Sequence, residues 1–372
     1  MRVAFTLEQC WHRVPGGTAV AALELARALA DRPGLELVGV AARHRELPPE
    51  QWRPPISVSE MALPRIVLYE SWHYLRRPRI ERATGPIDAI HATGMVMPPP
   101  SSPVVLTVHD LSYLDYPELF SRQGLRFFNR ALDLARRDAT LILCSSAATL
   151  ARCREAGFED ARLRHVPLGV RVTRATPEDV TRVRGAYGLT KRFILWTGTI
   201  EPRKNLPGLI RAFSLLDTDA ELVLVGPRGW NETLDAHVGD LPAAVRERVR
   251  LLGWVPQADL DALYAAATVM CFPSLLEGFG FPVVEAMGQG TPVVTSLGTS
   301  TEELASGGAG LLVNPRQPEE IANAMGRVLG DAVLASQLAA AGLERAAEYT
   351  WERTAELVAA AYAEAASTTL SS

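Results

Sequence analysis

A chain of 372 residues and 40.4 kDa exceeds what one hydrophobic core ordinarily sustains and suits two large domains. Hydrophobic residues make up 48% and charged residues 22%, enough buried apolar surface to exclude a disordered chain. A net charge of −4 and a pI near 6.0 argue against a nucleic-acid binder.

The charge is unevenly spread. Residues 1–172 carry 22 Arg against 18 acids, a net of +4, and the remainder carries 16 basic and 24 acidic residues, a net of −8. Cys10, Cys144, Cys153 and Cys271 show no CxxC or paired zinc spacing, and they read as reduced, structural thiols of a cytoplasmic protein. No apolar run approaches the ~20 residues of a spanning helix. The opening MRVAFTLEQC, with Glu8 early, reads as a first buried strand and not as a signal peptide.

In chain order, VAFTL (3–7) is a strand, followed by a glycine loop and a helix over 20–30. Strands are expected at 36–40, 88–92, 104–108, 141–145 and 162–166, with a helix near 122–137. Pro-rich segments at 48–55 and 98–103 are loops, because proline lacks the N–H that a central strand or helix interior needs. The first of them also suits a substrate rim. The pattern restarts after a Thr-, Arg- and Pro-containing joint near 168–180. Strands are expected at 193–198, 221–226, 249–254, 268–273, 291–296 and 310–315, and helices near 205–216, 257–267, 281–288 and 318–329. Short apolar strands alternating with helices imply mostly parallel sheets covered on both faces. The expected division is a domain over 1–172, a second over 173–350, and a terminal segment over 351–372. Its Ala-rich helix is anchored by Trp351 and Leu357 and ends in the polar STTLSS.

In open parallel sheets, ligands gather beyond the carboxyl ends of the strands. The first such loop, EQCWHRVPGGT, places Gly16 and Gly17 before a helix. They serve either a tight turn or close approach of a ligand. The spacing is not GxGxxG, so a nicotinamide site is unsupported. His109 and Asp110 follow the strand VVLTV and serve either loop structure or substrate contact. In FILWTGTIEPRKN, Gly198 and Thr199 follow a strand, and Arg203 and Lys204 precede a helix. Two adjacent cations there suit a phosphate, with surface ion pairing as the plain alternative. In LLEGFGFPVVEAM, Glu277 and Glu285 bracket Gly278, Phe279 and Gly280, and Pro282 falls in the first turn of a helix begun by Phe281. Carboxylates accept sugar hydroxyls, and the glycine turn offers backbone N–H groups to oxygens. No HExxH, EF-hand or DxD pattern is present, so no metal or other cofactor is expected.

Taken in order, VPGGT, HDLSYLDYPELF, GTIEPRKN and EGFGFPVVEA resemble the GT-B glycosyltransferases of family 4 over nearly the whole chain. The resemblance implies two Rossmann-like, doubly wound α/β domains facing across a cleft, with the nucleotide-sugar donor held chiefly by the second. It implies that Arg203 and Lys204 bind the diphosphate and Glu285 the ribose. Glu277, with the backbone of Gly278, Phe279 and Gly280, would hold the transferred sugar, and His109 would reach it from the first domain. Gly16 and Gly17 would lie at the phosphate or acceptor entrance, with Gly198 and Thr199 on the phosphate side. The implied activity is metal-independent, retaining, front-face transfer of a hexose to a hydroxyl of a glycan or lipid-linked acceptor in surface-polysaccharide or glycoconjugate assembly. GDP-mannose is the leading donor. A GT-B epimerase or hydrolase acting on a nucleotide sugar is the enzymatic alternative, and a noncatalytic nucleotide-sugar sensor the other. No nucleic-acid partner is expected, and the oligomeric state stays open. Four Arg within LRRPRIERA (75–83) suit either peripheral contact with the anionic inner face of the cell membrane or an ordinary solvated surface.

Overall fold

The computed structural model describes residues 1–12, 15–229 and 234–368. Residues 13 and 14 of the glycine loop and 369–372 of the polar tail lie outside the described residues. The chain forms two compact units, Met1–Gly169 with Thr350–Ser372, and Val170–Tyr349.

The first unit is built on β1 (Arg2–Thr6), β2 (Glu36–Ala41), β3 (Val58–Glu60), β4 (Ala89–Ala92), β5 (Val104–Val108), β6 (Leu141–Cys144) and β7 (Leu163–His165). All pairings are parallel, in the order β3-β2-β1-β4-β5-β6-β7. Every residue of β4, β5 and β6 is buried, as strands covered on both faces require. Helix Gly17–Ala30 buries its Ala and Leu face, and the terminal helix Trp351–Thr368 packs against it. Trp351, Ala355, Val358 and Tyr362 anchor the terminal helix, whereas Leu357 is only half-buried. The Tyr362 hydroxyl lies 2.6 Å from His91 Nδ1, and His91 Nε2 lies 2.7 Å from Thr107 Oγ1. Burial, aided by nearby His109, pulls the His91 pKa down to about 3, so this junction is neutral.

The second unit comprises β8 (Phe193–Thr197), β9 (Glu221–Val225), β10 (Val249–Gly253), β11 (Val269–Phe272), β12 (Val293–Ser296) and β13 (Leu311–Val313). They form a parallel sheet in the order β10-β9-β8-β11-β12-β13. Both units are thus Rossmann-like α/β layers, with the sheet order reversing direction beside the first strand of each, where open sheets gather ligands.

Three expectations need correction. The joint near 168–180 is not wholly irregular, because helix Pro177–Tyr187 begins within it. Thr176 accepts from the Asp179 N–H, and the Asp179 side chain accepts in return from the Thr176 N–H. Arg76 does not belong to an exposed basic patch. Its guanidinium donates to the carbonyls of Trp72, Met97 and Pro98 and pairs with Asp138 at 2.7 Å, while Arg77, Arg79 and Arg82 stay exposed. β3 and helix Ala147–Glu155 are additional elements, the first a three-residue edge strand too short to show alternation. All four cysteines are free and buried.

Candidate active site

The carboxyl edge of the second sheet assembles most of the expected residues. β8 ends at Thr197, and Gly198 follows at φ 142°, a conformation that glycine adopts without a Cβ clash. The turn Pro202–Lys204 then carries the cations into helix Leu206–Ser214. Asn205, at positive φ, pins the turn by donating from Nδ2 to the carbonyls of Pro273 and Pro315. β11 leads into the loop that holds Glu277. Gly280, at φ 108°, caps helix Phe281–Gly288, and a Cβ there would stand 2.7 Å from Thr301 Cγ2.

Lys204 Nζ donates to Glu277 Oε1 at 2.6 Å, and Arg203 reaches Glu277 Oε2 at 3.3 Å. Lys204 and Glu277 are only 7% and 8% exposed, so this is a buried ion cluster and not surface decoration. Glu201 closes it, accepting from Arg203 Nε at 2.9 Å. Lys204 Nζ also sits 4.8 Å from the centroid of the Phe272 ring. Burial opposes the Glu277 charge, but Lys204 and Arg203, with the hydrogen bond from Lys204, hold its carboxyl below the ordinary value. Burial and Arg203 in turn bring Lys204 below the usual lysine value. An ammonium has three donors, and Glu277 Oε1 takes one of Lys204's. The cluster therefore holds its cations fixed before any ligand arrives, which is what electrostatic preorganisation needs.

Glu285 projects from a different element, helix Phe281–Gly288. Its Oε2 accepts from the Tyr264 hydroxyl at 2.8 Å, and Tyr264 lies 2.7 Å from Thr197 Oγ1. Burial pushes the Glu285 pKa up to about 7, with the Tyr264 bond opposing the shift. Phe279 is buried edge-on against Phe281 and Tyr349, so any ligand role in the glycine turn falls to its backbone. Thr199 is half-buried beside Gly198. Glu201, Tyr264 and Thr197 escaped sequence reasoning. Glu201 had a signal, an acid two residues before Arg203, but nothing local links Tyr264 to Glu285.

Gly16, Gly17 and His109 belong to the first unit. His109 follows β5 and lies with Nε2 3.1 Å from the Thr93 carbonyl. Burial lowers its pKa against the opposing pull of that carbonyl and Asp110, so the ring is neutral. With its proton on Nε2, Nδ1 is the acceptor nitrogen. Asp110 organises the loop, accepting from the Ser112 N–H. Gly16 caps helix Gly17–Ala30 at φ −117°, and a Cβ there would meet no described atom within 4 Å. Neither a left-handed backbone nor internal crowding requires glycine at that position.

Among the described residues, no three His, Cys, Asp or Glu side chains are placed to hold a metal ion, and no helix is long and apolar enough to cross a membrane.

Residues 15–174 match the family described as Glycosyltransferase Family 4, and residues 191–331 match Glycosyl transferases group 1. O-antigen chain mannosyltransferase B of Escherichia coli is 32% identical, the alignment covering 70% of each chain. D-inositol 3-phosphate glycosyltransferase of Acidothermus cellulolyticus is 30% identical over 94% of this chain and 86% of its own. The fold matches HepE of Anabaena, solved with UDP and glucose, at a TM-score of 0.76 over 98% of this chain and 100% of that one, with 22% identity. By sequence relationship and fold, the chain belongs to the family 4 GT-B glycosyltransferases, which move a sugar from a nucleotide-sugar donor to an acceptor.

Proposed function

We propose that the chain is a retaining hexosyltransferase that draws mannose from GDP-mannose and places it on a hydroxyl of a glycan or lipid-linked acceptor during surface-polysaccharide assembly. The observation that carries the reading is the buried Lys204–Glu277 pair with partly exposed Arg203 beside it at the carboxyl edge of the second sheet, adjacent to the helix that carries Glu285. The donor diphosphate takes the cations, Glu285 accepts the ribose hydroxyls, and Glu277 with the Gly278–Gly280 backbone takes the sugar. The mannose assignment is supported by the O-antigen mannosyltransferase relative, and HepE, also solved with UDP-glucose, makes that sugar nucleotide the comparison donor.

In a front-face reaction the bond between the anomeric carbon and the diphosphate oxygen breaks as the acceptor oxygen bonds to the same face. The acceptor proton passes to the leaving diphosphate. Charge grows on that diphosphate, so fixed cations lower the barrier while a carboxylate nucleophile is not needed. His109, neutral with Nδ1 as its acceptor, takes a hydrogen bond from a sugar hydroxyl. Gly16 leaves room for a ligand at the helix start, with Gly17 beside it. The first unit faces the acceptor, and the exposed Arg77, Arg79 and Arg82 supply any contact with an anionic lipid surface on the cytoplasmic side.

The test is a donor panel of GDP-mannose, UDP-glucose and UDP-galactose with a glycan and polyprenyl-diphosphate acceptor library, read by product mass and anomeric configuration. An α-mannoside formed with equimolar GDP is expected. A β-mannoside overturns retention, and activity with UDP-sugars alone overturns the donor. Free mannose or an epimerised nucleotide without glycoside overturns transfer itself.

A further inference from the structure

The first unit contains a second polar site, separate from His109. Just beyond β1, Glu8 is 4% exposed. Its Oε2 accepts from the Ala42 N–H at 2.8 Å and from His44 Nε2 at 3.0 Å. Trp11 stacks on His44 at 4.7 Å and donates from Nε1 to the Glu46 carbonyl, which fixes the imidazole in place. Oε1 is buried and has no hydrogen-bond partner among the described residues. Leaving a buried carboxylate oxygen unsatisfied is costly, and native proteins usually retain such groups where a ligand or water completes them.

Glu8 lines a cavity of about 40 Å³ at the carboxyl ends of β1, β2 and β4, together with Thr6, Gln9, Tyr69, Trp72 and Gly94. Tyr69 and Trp72 stack 6.3 Å apart to form its aromatic wall. Gln9 Nε2 donates to Thr93 Oγ1 at 2.8 Å, and the carbonyl of Thr93 is the partner of His109. The cavity holds about two waters, or one hydroxymethyl arm, and is too small for a pyranose ring. An apolar aromatic wall beside one carboxylate with an unpartnered oxygen suits a neutral ligand that brings a hydroxyl donor on a carbon skeleton.

We propose that this cavity is a subsite for the acceptor sugar, in which one acceptor hydroxyl or hydroxymethyl group enters and donates to Glu8 Oε1 while the ring stays outside the cavity. The assignment to the acceptor rests on the reading that the donor occupies the second unit. Glu8 then selects acceptors by a single buried hydroxyl, and a deoxy analogue leaves the carboxylate unpaired.

Direct binding tests the subsite without turnover. Methyl α-mannopyranoside and its four monodeoxy analogues are titrated by ligand-observed NMR into the full chain saturated with GDP. The wild type is expected to bind the parent glycoside and to lose at least ten-fold for one deoxy analogue. Glu8→Gln should weaken the parent about ten-fold and erase that discrimination. Gly94→Val is the second variant: Gly94 lines the cavity and a Cβ there meets no described atom within 4 Å, so the added side chain has room and leaves the buried carboxylate intact. It should abolish glycoside binding while GDP affinity and melting temperature hold. Unchanged glycoside binding in both variants means the cavity holds water only and overturns the proposal, as does equal binding of all deoxy analogues. If GDP affinity survives Arg203→Ala and Lys204→Ala, the donor reading fails, while loss of glycoside in Glu8→Gln still upholds the Glu8 subsite.

Discussion

Replacing Tyr264 with Phe removes one hydroxyl and should move the pH dependence of nucleotide binding upward. Burial raises the Glu285 pKa to about 7, and the Tyr264 hydroxyl, 2.8 Å from Oε2, counteracts burial by favouring the ionised form. The Thr197 hydroxyl at 2.7 Å holds Tyr264 in that orientation. A hydrogen bond to a charged group contributes about 1.5–3 kcal/mol, so its loss corresponds to a rise of roughly 1–2 pH units. Charge-assisted hydrogen bonds are roughly twice as strong as neutral ones, so an ionised Glu285 should hold ribose more tightly. Calorimetric titration of GDP and UDP between about pH 5.5 and 9 should show wild-type affinity rising about ten-fold through a midpoint near 7. The Tyr264→Phe midpoint should move to about 8–9, and Glu285→Gln should flatten the profile. An unshifted midpoint in Tyr264→Phe, or a pH dependence that persists in Glu285→Gln, refutes the role given to this relay.

Four further outcomes follow from the geometry. Lys204→Ala strips the closest cation from buried Glu277 and should cost about 3–5 kcal/mol in urea unfolding. Adding Glu277→Ala should restore much of that stability but no transfer, and simply additive losses contradict a coupled cluster. Gly280→Ala meets both positive φ and Thr301, and should lose about 1–3 kcal/mol. Gly16→Ala meets neither, and should keep its melting temperature while transfer falls; the reverse pattern contradicts the ligand-approach reading. Finally, the folded Glu285 carboxyl binds its proton more tightly than the ordinary carboxyl value of 4.5. Its favourable contribution to stability is therefore complete below about 4.5 and is lost as pH rises through about 7. Denaturant midpoints at acid and alkaline pH should differ less in Glu285→Gln than in the wild type.

Periodicity and glycine placement carried much of the fold. The strand VVLTV coincides with β5, and FPVVEAMG coincides with helix Phe281–Gly288, because continuous β-branched runs and a first-turn proline are local signals. Helix Pro177–Tyr187 was hidden because its Pro and Thr read as a joint, although both serve as helix-start residues. Arg76 looked like surface charge for a similar reason: composition does not reveal that three carbonyls and Asp138 converge on one guanidinium.

The sequence alone determined that there are two parallel α/β units, and which loops carry Arg203, Lys204, Glu277 and Glu285. Those features depend on residues close together in the chain, where propensity, turn chemistry and spacing act directly. Tertiary structure alone decided that Lys204 and Glu277, 73 residues apart, share a buried contact. It likewise decided that Tyr264 props Glu285 and that Glu8 keeps one oxygen for a cavity. Burial and electrostatic environment depend on what the rest of the chain packs around a group, and no local pattern encodes that.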